Sequence, residues 1–115
     1  MVIPKSMLSF RLVVGALGCM AFNSVQAATL GSPDKGKIYA QTHCVSCHSV
    51  VRDGNSSPVT AATPFQTIAN TAGITRTALF VFFRSPHPTM PNLIIRGDDL
   101  DDIIAYILSL KTANQ

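Results

Sequence analysis

The sequence is poor in charge, has no tryptophan, and has aspartate as its only acidic residue. Of its 115 residues 47% are hydrophobic and 13% are charged. A chain of this length suits one small domain, so two or more domains are excluded. The apolar residues are concentrated near the N-terminus, where residues 12–22 form an uncharged run. That run is short of the roughly 20 residues that a membrane-spanning helix needs.

The first 27 residues have the pattern of a secretory signal peptide. Lys5 and Arg11 precede the apolar run, and a polar segment then leads to Val25-Gln26-Ala27. A positive region, a short apolar region and small residues at positions −3 and −1 are typical of an export signal that is removed. We therefore expect cleavage near Ala27 and a periplasmic protein.

Two alternatives to that interpretation stay open. The apolar run is also compatible with a buried or interfacial helix, and Cys19 offers a second processing site at which a lipid could be attached. Lipidation would change how the protein is attached to a membrane and would leave its chemistry unchanged.

The predicted mature domain, residues 28–115, is nearly neutral. It keeps seven Lys and Arg and all six Asp, which gives a net charge of +1. Its cations are scattered singly and no aromatic residues interleave with a basic run, so nucleic acid is not an expected partner. A domain of this size buries little more than about 60% of its unfolded surface. A covalent staple or a prosthetic group is therefore expected.

The segment Cys44-Val45-Ser46-Cys47-His48 supplies a candidate for that group. Cys residues at i and i+3 project from the same side of one helical turn. Both can therefore bond to the vinyl groups of one porphyrin, with the adjacent His48 placed to bind the iron. In an exported protein this pentapeptide indicates covalent haem attachment.

Three other interpretations of the two cysteines compete with haem attachment. A dithiol redox pair is expected in a βαβ pattern, which the sequence lacks. A closed zinc site needs four ligands, and only His43 and His87 are available, at spacings that no zinc module uses. The third alternative is a plain structural disulfide.

Met90 is the candidate for the second axial ligand of the iron. It is the only methionine after residue 27 and lies in Pro86–Leu93, a segment with three prolines that excludes a helix interior or a central strand. A methionine that fills a core gap normally lies on an apolar helix face. The alternatives are plain packing for Met90, or His87 as the ligand in its place.

These residues resemble the monohaem class I cytochromes c, short bacterial type, from about Ser32 to Lys111. The resemblance rests on Cys44-x-x-Cys47-His48, on Met90-Pro91, and on the segment 102–107 (Asp-Ile-Ile-Ala-Tyr-Ile). It implies an all-α fold of three to five short helices around one covalently attached haem c, with the N- and C-terminal helices crossing. It also implies His48/Met90 ligation and one-electron transfer through an exposed haem edge.

The helices expected from the residues agree with that fold. Ser32, Pro33 and Asp34 begin a helix that runs into the haem motif. Pro64 to Asn70 and Thr75 to Arg84 should form two short helices, and Val50 to Thr63 a loop. The clearest helix is Asp98 to Leu110, which has carboxylates at its start and one apolar stripe: Leu100, Ile103, Ile104, Ile107 and Leu108.

Four further expectations concern single residues and side chains. By resemblance, Pro58 supplies the carbonyl that accepts the Nδ1 hydrogen of His48. By resemblance also, Gly36 lets two helices approach closely, although it could equally be a weak point in its helix. The aspartates of the last helix are expected to cap it and to form a solvated face. The apolar wall against the porphyrin is expected from four residues: Leu79, Val81, Phe82 and Phe83.

The expected function is that of a soluble electron carrier and not an enzyme. Its partners would be redox proteins: a dehydrogenase, an oxidase or a reductase. No membrane span is expected in the mature chain. Two alternatives stay open, a cytochrome subunit of a periplasmic dehydrogenase and a haem sensor or peroxidase-like protein with a labile distal ligand.

Overall fold

The computed structural model describes residues 30–86, 89–90 and 93–113. Within them the chain forms four α-helices and no β-strand. The predicted signal peptide, with Cys19 and Ala27, lies outside the described residues, as do His87 and Pro91. The all-α expectation is confirmed.

Helix α1, Pro33–His43, begins as its sequence predicts. Ser32 is the N-cap and its side chain accepts a hydrogen bond from Lys35 N, while a proline occupies the first helical position. The helix ends against Cys44, whose N–H donates to Ala40 O at 2.8 Å. The haem motif therefore follows directly on α1 with no linker.

Helix α4, Asp98–Ser109, carries most of the core. Ile103, Ile104 and Ile107 are its fully buried side chains, and Leu100 is 2% exposed. The N-cap is Gly97, at φ +57°, with no side-chain hydrogen bond. The aspartates of the first turn therefore stabilise the helix through its dipole and not as caps.

Two of the aspartates of α4 do not belong to the solvated face that the sequence predicts. Asp102 is 7% exposed and accepts a hydrogen bond from Ser32 N at 2.5 Å, so it binds the start of α1. Asp101 pairs with Arg76 at 2.8 Å, and Arg76 also donates to Leu30 O. The expectation was wrong for Asp102, because the approach of α1 covers that turn of α4.

The approach of α1 and α4 is very close at Gly36. A Cβ at this position would overlap the carbonyl oxygen of Asp102 and lie 2.7 Å from Tyr106 Cβ. The glycine therefore permits the helix contact and is not simply a weak point in α1.

The other helices are short. Helix α2, Phe65–Ala69, and helix α3, Arg76–Arg84, both pack on α4, and Thr75 caps α3 by accepting from Ala78 N at 3.1 Å. The C-terminal end of α4 is held by side chains from elsewhere in the chain. Arg52 donates to the carbonyls of Ser109 and Leu110, and Gln66 donates to Leu110 O.

Candidate functional site

A cavity of about 520 Å³ lies between α3, the haem motif and the loops that follow each of them. Its lining is predominantly apolar, and it includes Cys44, Cys47, His48 and Met90. The volume lies in the range of roughly 300–1,000 Å³ that is typical of ligand and cofactor sites. The haem motif and Met90, which the sequence analysis selected separately and which lie more than 40 residues apart, thus meet at one cavity.

The turn after α1 presents both cysteines to this cavity. Cys47 N and His48 N both donate to Cys44 O, at 3.1 and 2.9 Å, which closes one tight turn. The two thiols are not joined in a disulfide. The structure therefore does not support the structural-disulfide interpretation.

The surroundings of Cys44 also differ from those of a dithiol redox enzyme. Burial, followed by the neighbouring Cys47, raises the pKa of the Cys44 thiol to about 11. The attacking cysteine of a redox pair instead has a lowered pKa, because the thiolate is the nucleophile. A protonated, buried Cys44 does not suit that chemistry.

His48 is oriented by a backbone carbonyl. Its Nδ1 lies 2.7 Å from Thr63 O. Because a carbonyl oxygen only accepts, Nδ1 carries the hydrogen, and the lone pair of the neutral ring is on Nε2. The ring of Phe65 lies against the imidazole, with a centroid distance of 5.4 Å. A fixed tautomer and a packed ring are what a metal-binding histidine requires.

The carbonyl that binds His48 is not that of Pro58, so the expectation for Pro58 was wrong. The residues on both sides of Pro58 bind the neighbours of His48 and not its ring: Ser49 N donates to Ser57 Oγ at 3.0 Å, and Val59 N donates to Cys47 O at 3.2 Å. Pro58 itself is exposed. After Pro58 the chain returns toward His48, and this returning segment places the carbonyl oxygen of Thr63 beside the imidazole.

A signal for Thr63 is present in the sequence. The following Pro64 holds Thr63 in an extended conformation and provides no N–H of its own. Thr63-Pro64 is therefore as good a candidate as Ser57-Pro58 for presenting a carbonyl. Phe65, which the sequence analysis also missed, is fixed next to them because its N–H donates to Ser49 O at 2.9 Å.

Met90 lies on the cavity lining in a non-helical segment and is partly buried. This is the placement that the prolines around it predict. The alternative ligand His87 lies outside the described residues.

Helix α3 forms the apolar wall, with one difference from the expectation. Leu79, Phe82 and Phe83 line the cavity, as does Ala78. Val81 does not line it and is 57% exposed. The expectation for Val81 was wrong because successive helical residues point about 100° apart, so four of five consecutive side chains do not share one face.

The zinc interpretation finds no support in the part of the chain that is described. Over residues 30–86, 89–90 and 93–113, no three His, Cys, Asp or Glu side chains are arranged to hold a metal ion. His43, one of the ligands considered, is exposed and stacks on Tyr39, with ring centroids 4.4 Å apart.

The donor set and the cavity fit a haem. Two cysteines on one turn, a histidine with Nε2 free of a proton and a methionine line a mainly apolar space of suitable volume. Such a set defines a covalently attached haem protein of the c type.

Comparison with known proteins gives the same class. The family model for cytochrome c matches residues 34–111. No curated protein and no solved structure matches the chain. The chain belongs to the cytochrome c family, and it carries haem c as a covalently bound cofactor of electron transport. Cys44 and Cys47 fit its attachment site.

Proposed function

We propose that this cytochrome c is a soluble one-electron carrier of an exported compartment, with His48 and Met90 as the axial ligands of the haem iron. The observation that carries the proposal is that both side chains line one cavity together with the two cysteines. The hydrogen bond from His48 Nδ1 to Thr63 supports the histidine assignment, because it leaves Nε2 for the iron.

The haem supplies a metal that accepts and releases one electron. His48 and Met90 would occupy both of its axial positions in both oxidation states, so electron transfer would need little rearrangement. A thioether ligand favours the ferrous form. The apolar lining from α3 disfavours the extra positive charge of the ferric form. Both effects raise the reduction potential.

A Met90→Ala variant tests this ligation. The oxidised parent is expected to show the weak long-wavelength band of sulfur bound to ferric iron, and the variant is expected to lack it. The reduction potential should fall by on the order of 0.1–0.2 V, since axial ligands set haem potentials over roughly 0.8 V. Both quantities are measured by spectroscopy during a potentiometric titration.

Thr89→Ala is the matched control for that experiment, since Thr89 is adjacent to Met90 and also lines the cavity. It should keep the band and a potential close to that of the parent. A band that is absent from the oxidised parent would show that Met90 is not the ligand. Rapid binding of carbon monoxide by the native ferrous protein would favour a sensor or peroxidase-like function instead.

Export is a further part of the proposal, supported by the pattern of residues 1–27. When the protein is produced in a bacterium that attaches haem in its periplasm, the intact mass is expected to equal residues 28–115 plus one haem. An Ala27→Arg variant should remain uncleaved, because a large charged residue at −1 does not fit signal cleavage. A mature protein that begins with a lipidated Cys19 would contradict this part.

The donor and the acceptor are proposed to be redox proteins, a dehydrogenase on one side and an oxidase or reductase on the other. Within the described residues, no helix has the length and apolar character that a bilayer span requires. Co-purification with a stoichiometric enzyme would instead identify the chain as the subunit of a dehydrogenase.

A further inference from the structure

Two stretches of the chain, residues 48–53 and residues 63–66, lie side by side at the His48 imidazole. We call them the two histidine segments. Three hydrogen bonds join them: His48 Nδ1 donates to Thr63 O at 2.7 Å, Phe65 N donates to Ser49 O at 2.9 Å, and Asp53 N donates to Gln66 Oε1 at 3.1 Å. The first two bonds use backbone carbonyls as acceptors, whereas the third uses the side chain of Gln66. A substitution can therefore remove the third bond without changing the histidine or the atoms that contact it.

The side chain of Gln66 is buried and both ends of its amide are bound. It is 9% exposed. Its Nε2 donates to Leu110 O, at the end of α4, and its Oε1 accepts from Asp53 N. Because a carbonyl oxygen only accepts and an N–H only donates, these two partners determine which end of the amide is oxygen. The amide therefore holds the second histidine segment in one position relative to α4.

The same end of α4 also holds the first histidine segment. Tyr106 Oη donates to Val50 O at 2.6 Å, and this bond is buried. Arg52 donates to the last two carbonyls of the helix end. Gln66 thus joins three parts of the molecule, since it belongs to the second segment and binds both α4 and the first segment.

Two features show that a directional contact is needed at this point. Helix α2, which begins at Phe65, has five residues and no side-chain hydrogen bond at its N-cap. Asp53 has a φ of +61°, in the left-handed region that residues other than glycine adopt uncommonly. Such a backbone persists where the surrounding contacts hold it. Burial of Phe65 attaches α2 to the core, but apolar burial is not directional. The amide of Gln66 supplies the directional contact to both features.

We propose that Gln66 is a positioning residue for the haem ligand, which keeps Thr63 O on Nδ1 of His48 and thereby lowers the reduction potential. The proposal rests on the proposed function, in which His48 binds the iron. A hydrogen bond from Nδ1 raises the basicity of a histidine ligand, and a more basic ligand stabilises the ferric form. Thr63 is exposed. Water therefore replaces its carbonyl at Nδ1 when the second histidine segment shifts.

A Gln66→Met variant tests the proposal, because methionine is unbranched and of similar length but makes neither hydrogen bond. Leu110 O keeps Arg52 as a donor and Asp53 is exposed, so no buried group loses its last partner and the variant should fold. Nuclear magnetic resonance of the ferrous holoprotein measures how fast the Nδ1 hydrogen of His48 exchanges with solvent. Exchange is expected to be about tenfold faster in the variant, the equivalent of one lost hydrogen bond.

The same variant is expected to have a higher reduction potential. The equilibrium between ferric and ferrous protein should move toward the ferrous form by about threefold, which is about 30 mV at 59 mV per tenfold change for one electron. Potentiometric titration of the holoprotein with dissolved mediators measures this shift. A side chain with a merely structural role would lower the thermal stability and leave both the exchange rate and the potential unchanged.

Asn70→Leu is the matched control. The Asn70 side chain also joins the end of α2 to the chain after α4, since its Oδ1 accepts from Thr112 N at 3.0 Å and from Thr112 Oγ1 at 3.2 Å. Leucine has the shape of asparagine without its hydrogen bonds. We expect Asn70→Leu to lower the thermal stability but to keep the exchange rate and the potential of the parent. Equal changes in the two variants would show a general loosening of α2 and would overturn the proposal, as would parent values in Gln66→Met.

Gln66→Asn is a second variant, for use if Gln66→Met does not take up haem. It keeps an amide at the buried position, but the side chain is one methylene too short to reach both partners. Its exchange rate and potential should change in the same direction as in Gln66→Met, by a smaller factor. Parent values of both quantities in Gln66→Asn would also overturn the proposal.

The same spectra separate this proposal from the proposed function. The ring hydrogens of an axial histidine are shifted strongly upfield by the ring current of the haem. If the His48 ring hydrogens of the parent lack this shift, His48 is not the ligand and the proposed function fails. If they show it and neither Gln66 variant differs from the parent in exchange or potential, only the assignment of Gln66 fails.

Discussion

A chain in which both Cys44 and Cys47 are replaced by alanine is expected to lose its covalent haem and its fold together. The two thiols are the only cysteines of the described residues and both line the cavity. Without the covalent bonds, the haem would be held only by its proposed ligands His48 and Met90, and extraction with acidified acetone would remove it. The parent is expected to retain its haem through the same extraction.

Loss of the fold is expected from the size of the cavity. Without haem, this mainly apolar space of about 520 Å³ would be open to water, and its lining would lose the packing contacts that the haem provides. Because the total stability of a domain is only about 5–15 kcal/mol, we expect the chain without haem to lose much of its helical structure. Far-ultraviolet circular dichroism should therefore show helix content falling well below that of the parent.

The single variants Cys44→Ala and Cys47→Ala serve as controls, because each keeps one covalent bond. Both should retain haem through the extraction, with lower thermal stability than the parent. If the double variant kept its haem through the extraction, the assignment of these two cysteines would be wrong.

A Gly36→Ala variant is expected to be strongly destabilised, although alanine normally improves a helix by about 1 kcal/mol over glycine. The new methyl group would overlap Asp102 O and approach Tyr106 Cβ. Asp102 O is a backbone atom of a buried helix, so it cannot rotate away from the new methyl group. Overpacking of this kind costs about 3 kcal/mol, which lowers Tm by roughly 12–24 °C in a domain of this size.

The matched control for Gly36→Ala is Gln41→Ala. Gln41 lies on α1 and is exposed, so its change should alter stability by no more than about 0.5 kcal/mol. Thermal unfolding of both oxidised holoproteins, followed by circular dichroism, makes the comparison. A Tm for Gly36→Ala at or above that of the parent would mean that α1 and α4 do not approach each other at this point.

The parts of the fold that could be predicted from the sequence are those with a local cause. The residues Ser32, Pro33 and Asp34 mark the start of α1 because capping, proline geometry and the helix dipole act within one turn. The apolar stripe of α4 predicts its buried side, because the period of a helix is independent of what covers it. The spacing of Cys44 and Cys47 is also a local signal, because it places both side chains on the same side of one helical turn.

The parts that could not be predicted depend on which segments meet. Asp102 has the sequence context of an exposed helix start, and only the approach of α1 buries it. Pro58 and Thr63 offer carbonyls of equal local quality, and the path of the loop decides that Thr63 reaches His48. Val81 lies within an apolar run, and only the position of the cavity shows that this side chain points away from it.

The pairing of α1 with α4 has a consequence for the order in which the molecule is completed. The two helices lie at opposite ends of the domain's sequence, and the hydrogen bond from Ser32 to Asp102 joins residues 70 positions apart. A chain is made from its N-terminus, so α1 and the haem motif are synthesised before α4. The haem motif that follows α1 is therefore in an unfolded chain until α4 has been made. Once the fold closes, Cys44 is 6% exposed and its thiol is protonated at neutral pH. We therefore expect the haem to be attached while the chain is still open, before α4 packs on α1.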